Sequence, residues 1–168
     1  IDIDPQGNAT MGCGVDKYSL ENSVCELLLD ECSIDAATMH APGIEIDILP
    51  SNTDLIAAEI TLLKREKSEY KLKQAISKVK DKYDYVVIDC PPSLNMLTIN
   101  AFTASNGIII PMQCEYYALE GLTALIQTIE KIQTTTNPDL DITGIIRTMF
   151  DGRNNLANDV SAQLVSHF

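Results

Sequence analysis

The chain has 168 residues and carries 24 Asp+Glu against 12 Lys+Arg, a formal net charge of −12. That balance excludes a bulk surface for nucleic acid, because phosphate contacts need clustered Lys and Arg. Hydrophobic residues make up 45% and charged residues 21%, an ordinary globular composition, and no apolar run is long enough to span a bilayer.

The elements follow in chain order. Residues 1–3 read as the end of a buried strand and residues 4–18 as a loop whose Gly7, Gly12 and Gly14 permit unusual backbone conformations. Ser19 or Asn22 is placed to cap a short helix through Leu29, with Val24, Leu27 and Leu28 at helical spacing. Pro42-Gly43 marks a turn, and residues 44–49 alternate apolar and acidic like a half-buried strand near a sheet edge. Asn52 or Thr53 then caps a helix running to about Leu63, and a second helix is expected over 68–82, with Leu72, Ile76, Val79 and Tyr83 facing a sheet.

Residues 85–88 are an uninterrupted apolar run, the pattern of a strand covered on both faces, and Pro91-Pro92 stops its ladder. Ser93 or Asn95 opens a helix to about Ser105. Ile108-Ile109-Ile110 reads as another doubly covered strand, closed by Pro111. The longest helix spans 117–135, with Leu119, Leu122, Leu125, Ile126, Ile129 and Ile132 on one side. A strand over 142–149 and a helix over 156–168 follow. Strands alternate with helices throughout, which implies an α/β fold with a mostly parallel sheet and helices on both faces. There is no repeat or linker. Because the sequence opens on Ile1 inside a strand, residues 1–168 are expected to form a single partial domain.

The chemistry concentrates at two strand ends. Asp2 and Asp4 are two residues apart, so on a strand both point to one face. Carboxylates beside apolar neighbours are costly to bury without donors or a cation. Asp89 closes the apolar run 85–88, and two adjacent strands ending in carboxylates would suit a hard cation that also binds phosphate. The plainer alternative leaves Asp2 and Asp4 exposed, with Asp4 capping a turn before Pro5. The five cysteines (Cys13, Cys25, Cys32, Cys90 and Cys114) are odd in number and form no C-x-x-C pair, which suits reduced thiols; Cys90 reads as a small packing residue. The basic residues of 64–80 are interleaved with glutamates and read as a solvated helix face.

Four motifs occur in order: Asp2-Ile3-Asp4-Pro5-Gln6-Gly7-Asn8; Tyr85-Val86-Val87-Ile88-Asp89-Cys90-Pro91-Pro92-Ser93; Gln113-Cys114-Glu115-Tyr116-Tyr117-Ala118-Leu119-Glu120-Gly121; and Thr148-Met149-Phe150-Asp151-Gly152-Arg153. Together they resemble the ParA/Soj family of chromosome- and plasmid-partitioning ATPases, in the larger ParA/MinD group with a deviant Walker A motif and a P-loop NTPase-like fold. The resemblance covers essentially the whole chain. It implies that Asp4 orients the attacking water, with Asp2 supporting the Mg²⁺–water network. It places Pro5, Gln6, Gly7 and Asn8 in a switch that senses the γ-phosphate. It makes Asp89 the Walker B carboxylate that holds Mg²⁺ through water, and puts Pro91, Pro92 and Ser93 in the second switch. It implies ATP and Mg²⁺ as cofactors and a homodimer formed on ATP binding. It also implies nonspecific DNA binding through a C-terminal region beyond residue 168, a ParB-like DNA-bound partner, a cytoplasmic, nucleoid-associated location and no membrane contact.

One departure is large. No G-x-x-x-x-G-K-[ST] phosphate loop occurs in the 168 residues, so that loop is expected before residue 1 and residues 1–168 alone are expected to be inactive. Alternatives of the same fold are a MinD-like positioning ATPase and an iron–sulfur reductase bridging a cluster through Cys90 and Cys114. A flavodoxin-like or dinucleotide-binding domain would lack a role for Asp4 and the G-x-G-x-x-G it needs. The Asp-Pro-Gln-Gly and Tyr-Tyr-Ala-Leu-Glu-Gly stretches favour the partitioning ATPases.

Overall fold

In the computed structural model, the two strand ends that carry Asp2 and Asp89 lie side by side. The Ile1 amino group donates to Val87 O (2.8 Å), Asp89 N to Ile1 O (2.8 Å) and Ile3 N to Asp89 O (2.9 Å), and Asp2 and Asp89 form a parallel bridge. The structure describes residues 1–115 and 118–167, the last of these by its backbone only. Two compact units contain them, Ile1–Ala104 and Ser105–Phe168.

In the first unit, the stretch read as loop contains a short helix, α1 (Asn8–Gly12). Five residues are too few to show a periodic apolar stripe, so periodicity could not find it. Helix α2 (Val24–Leu28) starts from Ser23, not from Ser19 or Asn22. Ser23 Oγ accepts from Cys25 N (3.1 Å) while Ser23 N donates to Glu26 Oε2 (2.8 Å), the reciprocal pair of a capping box. The Ser-x-x-Glu spacing was visible in the sequence and outranks a lone Ser or Asn. After α3 (Ile34–Ala37), strand β1 (Met39–His40) pairs antiparallel with β2 (Asp47–Ile48). The strand expected over 44–49 shrinks to two residues, because the left-handed Gly43 (φ +77°) turns the chain and leaves Ile44 and Ile46 exposed.

Helix α4 (Leu55–Leu62) starts from Asp54, not from Asn52 or Thr53, and no side chain caps it; Asn52 Oδ1 accepts from Asp54 N (3.0 Å) in the turn that leads into it. The long helix expected over 68–82 is broken. A 3-10 turn at Ser68–Tyr70 leads into α5 (Lys71–Ile76), and another follows at Lys80–Lys82. Leu72 and Val79 of its stripe are buried, whereas Tyr83 leaves the helix and donates its hydroxyl to Asp47 Oδ2 (2.8 Å). Helix α6 (Met96–Ala104) is capped by Asn95, whose Oδ1 accepts from Leu97 N and Thr98 N (both 3.1 Å). The buried Asn100 ties α6 to α5: its Oδ1 accepts from Leu72 N (3.1 Å), one of the helix-start donors that α5 cannot satisfy itself. Ile3, Leu28, Leu55, Leu62, Leu72 and Leu97 form the fully buried centre of this unit.

The run 85–88 departs from expectation. Tyr85 is 89% and Val87 77% exposed, and Val86 and Val87 border an apolar cleft of about 280 Å³ shared with Ile34, Leu49 and Val79. An apolar run marks a doubly covered strand only where elements lie over both faces. Here residues 1–3 border one edge of it.

In the second unit, β3 (Gly107–Gln113) and β4 (Asp141–Thr148) run parallel, joined through α7 (Ala118–Thr135), and α8 (Asn155–His167) follows. Leu122, Ile129 and Ile132 of α7 and Ala157, Val160 and Leu164 of α8 are buried. Strand β3 is covered on one face only: Ile108, Ile110 and Met112 are buried, whereas Ile109 is 57% exposed. Pro111 does not end it. The strand pairs with β4 along one edge, so a residue without an N–H is tolerated on the other. The start expected for α7 at Tyr117 lies outside the described residues, as do Tyr116 and Phe168.

Candidate functional site

Asp2 and Asp4 do not share an environment. Parallel pairing ends at Ile3, and the chain turns at Asp4 before the period-two rule can place both carboxylates on one face. Asp2 is fully buried and its charge is met by protein donors. Oδ1 accepts from Asp4 N (3.1 Å), and Oδ2 accepts from both Thr10 N and Thr10 Oγ1 (2.8 Å each). Asp4 is half-buried. Its Oδ1 accepts from Gln6 N (2.9 Å) and its carbonyl from Gly7 N (2.9 Å), which closes the turn through Pro5. Among the described residues, Asp4 Oδ2 accepts no hydrogen bond.

Two residues that sequence reading passed over complete this arrangement. Thr10 Oγ1 accepts from Ser51 N (2.9 Å), and Ser51 Oγ donates to Asp4 O (2.7 Å); both residues are fully buried. No periodicity or motif singles out Ser51. It matters because the end of β2 brings it against the turn. Gly7 also depends on it. Its backbone is left-handed (φ +61°), and a Cβ there would lie 2.7 Å from Ser51 O and 2.9 Å from Lys17 Cδ. The Lys17 ammonium donates to Gln6 O and sits over the Tyr18 ring. Replacing Gly7 by Ala is therefore expected to cost about 1–3 kcal/mol through strain and collision with a main-chain carbonyl. Chemical denaturation should show the unfolding free energy lowered by that amount, with a lower midpoint at unchanged slope; an unchanged midpoint would mean the turn moves freely away from Ser51.

Asp89 is exposed at the end of its strand. Crowding by the surrounding protein, then the like charges of Asp2 and Asp4, hold its carboxyl above the ordinary aspartate value. The adjoining Cys90 thiol is pushed up to about 12 by burial and by Asp89, so it stays neutral and packs. Pro91 is buried, whereas Pro92 and Ser93 are exposed, and Ser93 O accepts from Thr98 Oγ1 (2.6 Å) at the start of α6. Gln6 and Asn8 are exposed beside the Asp4 turn. The site thus brings Asp2, Asp4, Asp89 and the Pro5–Asn8 turn together in one unit. Glu115 and Gly121 belong to the other unit, and Arg153 is an exposed residue paired with Asp151 (2.7 Å). Among the described residues, no group of three His, Cys, Asp or Glu side chains could hold a metal ion by itself, and no helix is long and apolar enough to cross a membrane.

A protein-family model described as "AAA domain" matches residues 1–142. The sporulation initiation inhibitor protein Soj of Bacillus subtilis is 45% identical over 168 residues, covering 100% of this chain and 66% of its own length. The chromosome partitioning protein ParA of Caulobacter vibrioides is 41% identical over 172 residues, covering 100% of this chain and 64% of its own. The chain thus spans just under two thirds of the length of these curated relatives. A solved structure described as cobyrinic acid a,c-diamide synthase from Mycobacterium smegmatis, with bound ATP analog and magnesium, is 40% identical. It superposes with a TM-score of 0.93 over 99% of this chain and 68% of its own. With its P-loop NTPase-like α/β fold, the chain belongs to the AAA-domain family, and over all of its own length it is similar to Soj and ParA.

Proposed function

We propose that the complete protein is a Mg²⁺-dependent ATPase of chromosome or plasmid partitioning, and that residues 1–168 carry the water-positioning and Walker B half of its site. The observation that carries this is Asp4. One carboxylate oxygen is pinned by Gln6 N and the other accepts from no donor among the described residues, in the same unit as Asp89 and beside the Pro5–Asn8 turn. A carboxylate fixed in that way can hold a water for attack, and phosphoryl transfer depends mainly on such positioning.

Asp89 would hold Mg²⁺ through water. The fit is favourable: the donors are hard carboxylate oxygens, and beside the burial that chiefly raises Asp89, the like charges of Asp2 and Asp4 are what a cation would relieve. When bound with ATP, Mg²⁺ supplies charge neutralisation at the transferred phosphate. Asp2 supports the network from beneath, by fixing Asp4. Pro5, Gln6, Gly7 and Asn8 form the segment that senses the γ-phosphate, and Pro91, Pro92 and Ser93 form the second switch. The phosphate loop, a homodimer formed on ATP binding, nonspecific DNA binding and a ParB-like partner belong to the complete protein. It acts in the cytoplasm on the nucleoid.

The deciding experiment is calorimetry with Mg²⁺ and ATP on the complete protein and on residues 1–168 alone. Micromolar binding (about −8 kcal/mol) is expected of the first and none of the second. Micromolar binding by residues 1–168 would show that the phosphate cradle lies within them. The M. smegmatis neighbour supplies a second reading, an amide-forming enzyme. Turnover stimulated by DNA supports partitioning; turnover that requires a carboxylic acid acceptor supports the other.

A further inference from the structure

Asp4 can hold a water in one place only if its own main chain is held in one place. Three hydrogen bonds do that: Asp4 N donates to Asp2 Oδ1 (3.1 Å), and Asp4 O accepts from Gly7 N (2.9 Å) and Ser51 Oγ (2.7 Å). The two anchors outside the turn, Asp2 and Ser51, are joined to each other by Thr10. Ser51 N donates to Thr10 Oγ1 (2.9 Å), and Thr10 Oγ1 donates to Asp2 Oδ2 (2.8 Å). The result is a closed ring through Asp4, Asp2, Thr10 and Ser51.

Each hydroxyl has one proton to give, so the direction of every bond in the ring is determined. The Thr10 proton goes to the carboxylate because its oxygen already receives the Ser51 N–H. The Ser51 proton goes to the Asp4 carbonyl. Asp2, Thr10 and Ser51 are all fully buried, so no water can stand in for a missing member. Ser51 also lays its carbonyl against Gly7, the point where the turn closes. One residue, 41 positions from Thr10 and 47 from Asp4, thereby touches both ends of the turn that presents the Asp4 carboxylate.

We propose that Thr10 and Ser51 are positioning residues for the hydrolysis step, acting through Asp4. This rests on the water-positioning role of Asp4 proposed above. Neither side chain reaches the solvent where substrate would lie. Their effect is expected in the rate of the chemical step and not in nucleotide affinity, because a displacement of about 1 Å in a reacting group costs on the order of 100-fold.

The test uses the complete protein and four variants: Ser51→Ala, Thr10→Val, Thr10→Ser and Asp4→Ala. Steady-state kcat and KM for Mg²⁺-ATP, nucleotide Kd and thermal melting are measured on each. Ser51→Ala loses one hydrogen bond to a carbonyl that Gly7 N–H still serves, and so keeps its fold. Its kcat is expected to fall about 100-fold with Kd unchanged. Thr10→Val should behave alike, and Thr10→Ser, which keeps the hydroxyl, should recover kcat to within a few fold. If Ser51→Ala turns over like the parent while Asp4→Ala is inactive, the ring only stabilises the fold and the proposal is wrong. A lowered melting point with unchanged kcat overturns it in the same way. If Asp4→Ala itself retains turnover, the role given to Asp4 falls, and the proposal falls with it.

Discussion

Replacing Asp4 by alanine in the complete protein is expected to leave ATP binding and dimerisation intact while turnover falls by about 10²–10⁴-fold, the range for losing a positioned acid–base or water-orienting group. The asymmetry follows from what the side chain touches. Among the described residues it makes one hydrogen bond, accepting from Gln6 N at the head of the turn, so its removal costs the fold little. Its second oxygen makes none among the described residues. Nucleotide affinity with sedimentation measures the first half of the expectation, and phosphate release under saturating Mg²⁺-ATP measures the second. Retained hydrolysis would remove Asp4 from the role; lost nucleotide binding would make it a ligand of the ground state.

Asp2→Ala should damage the fold itself, in addition to the ring that holds Asp4. The carboxylate is fully buried and accepts from Asp4 N, Thr10 N and Thr10 Oγ1. Alanine leaves two main-chain N–H groups and a hydroxyl without an acceptor in a place water does not reach. Each orphaned donor costs about 1–3 kcal/mol. Against a total stability on the order of 5–15 kcal/mol, that is a large share. Denaturant unfolding should show the loss as a lower midpoint with an unchanged slope. A change under about 1 kcal/mol would mean that solvent enters and replaces the carboxylate. Two aspartates separated by one isoleucine are thus expected to fail differently: Asp4 in turnover with the fold kept, Asp2 in stability first.

Much of this arrangement was legible in the chain. The Ile-Asp-Ile-Asp and Val-Val-Ile-Asp segments were read as neighbouring strand ends, and they are hydrogen-bonded in parallel. Asn95 marks the start of α6 as expected, because an Asx side chain serves helix-start donors within its own few residues. The apolar stripe of α7 buries Leu122, Ile129 and Ile132 for the same local reason. Local rules failed where coverage depends on distant chain. Residues 85–88 and Ile108–Ile110 look alike as apolar runs. Yet Val87 is exposed, and β3 hides only alternate residues, since a run of isoleucines or valines does not say how many faces will be covered.

What the sequence by itself determined is the α/β alternation, the pairing of carboxylates at strand ends, the Asp-Pro-Gln-Gly turn and its family. All of these are carried by periodicity, caps and motifs within a few residues of each other. Only the tertiary structure decided which aspartate is buried and which is presented, and which residues hold them. Parallel pairing stops at Ile3, so Asp2 stays inside while Asp4 turns out. Ser51 arrives from the end of β2 to close the ring on Thr10 and Asp4. A hydrogen bond spanning more than forty residues leaves no trace in local spacing, because its partners meet only after the core between them has packed.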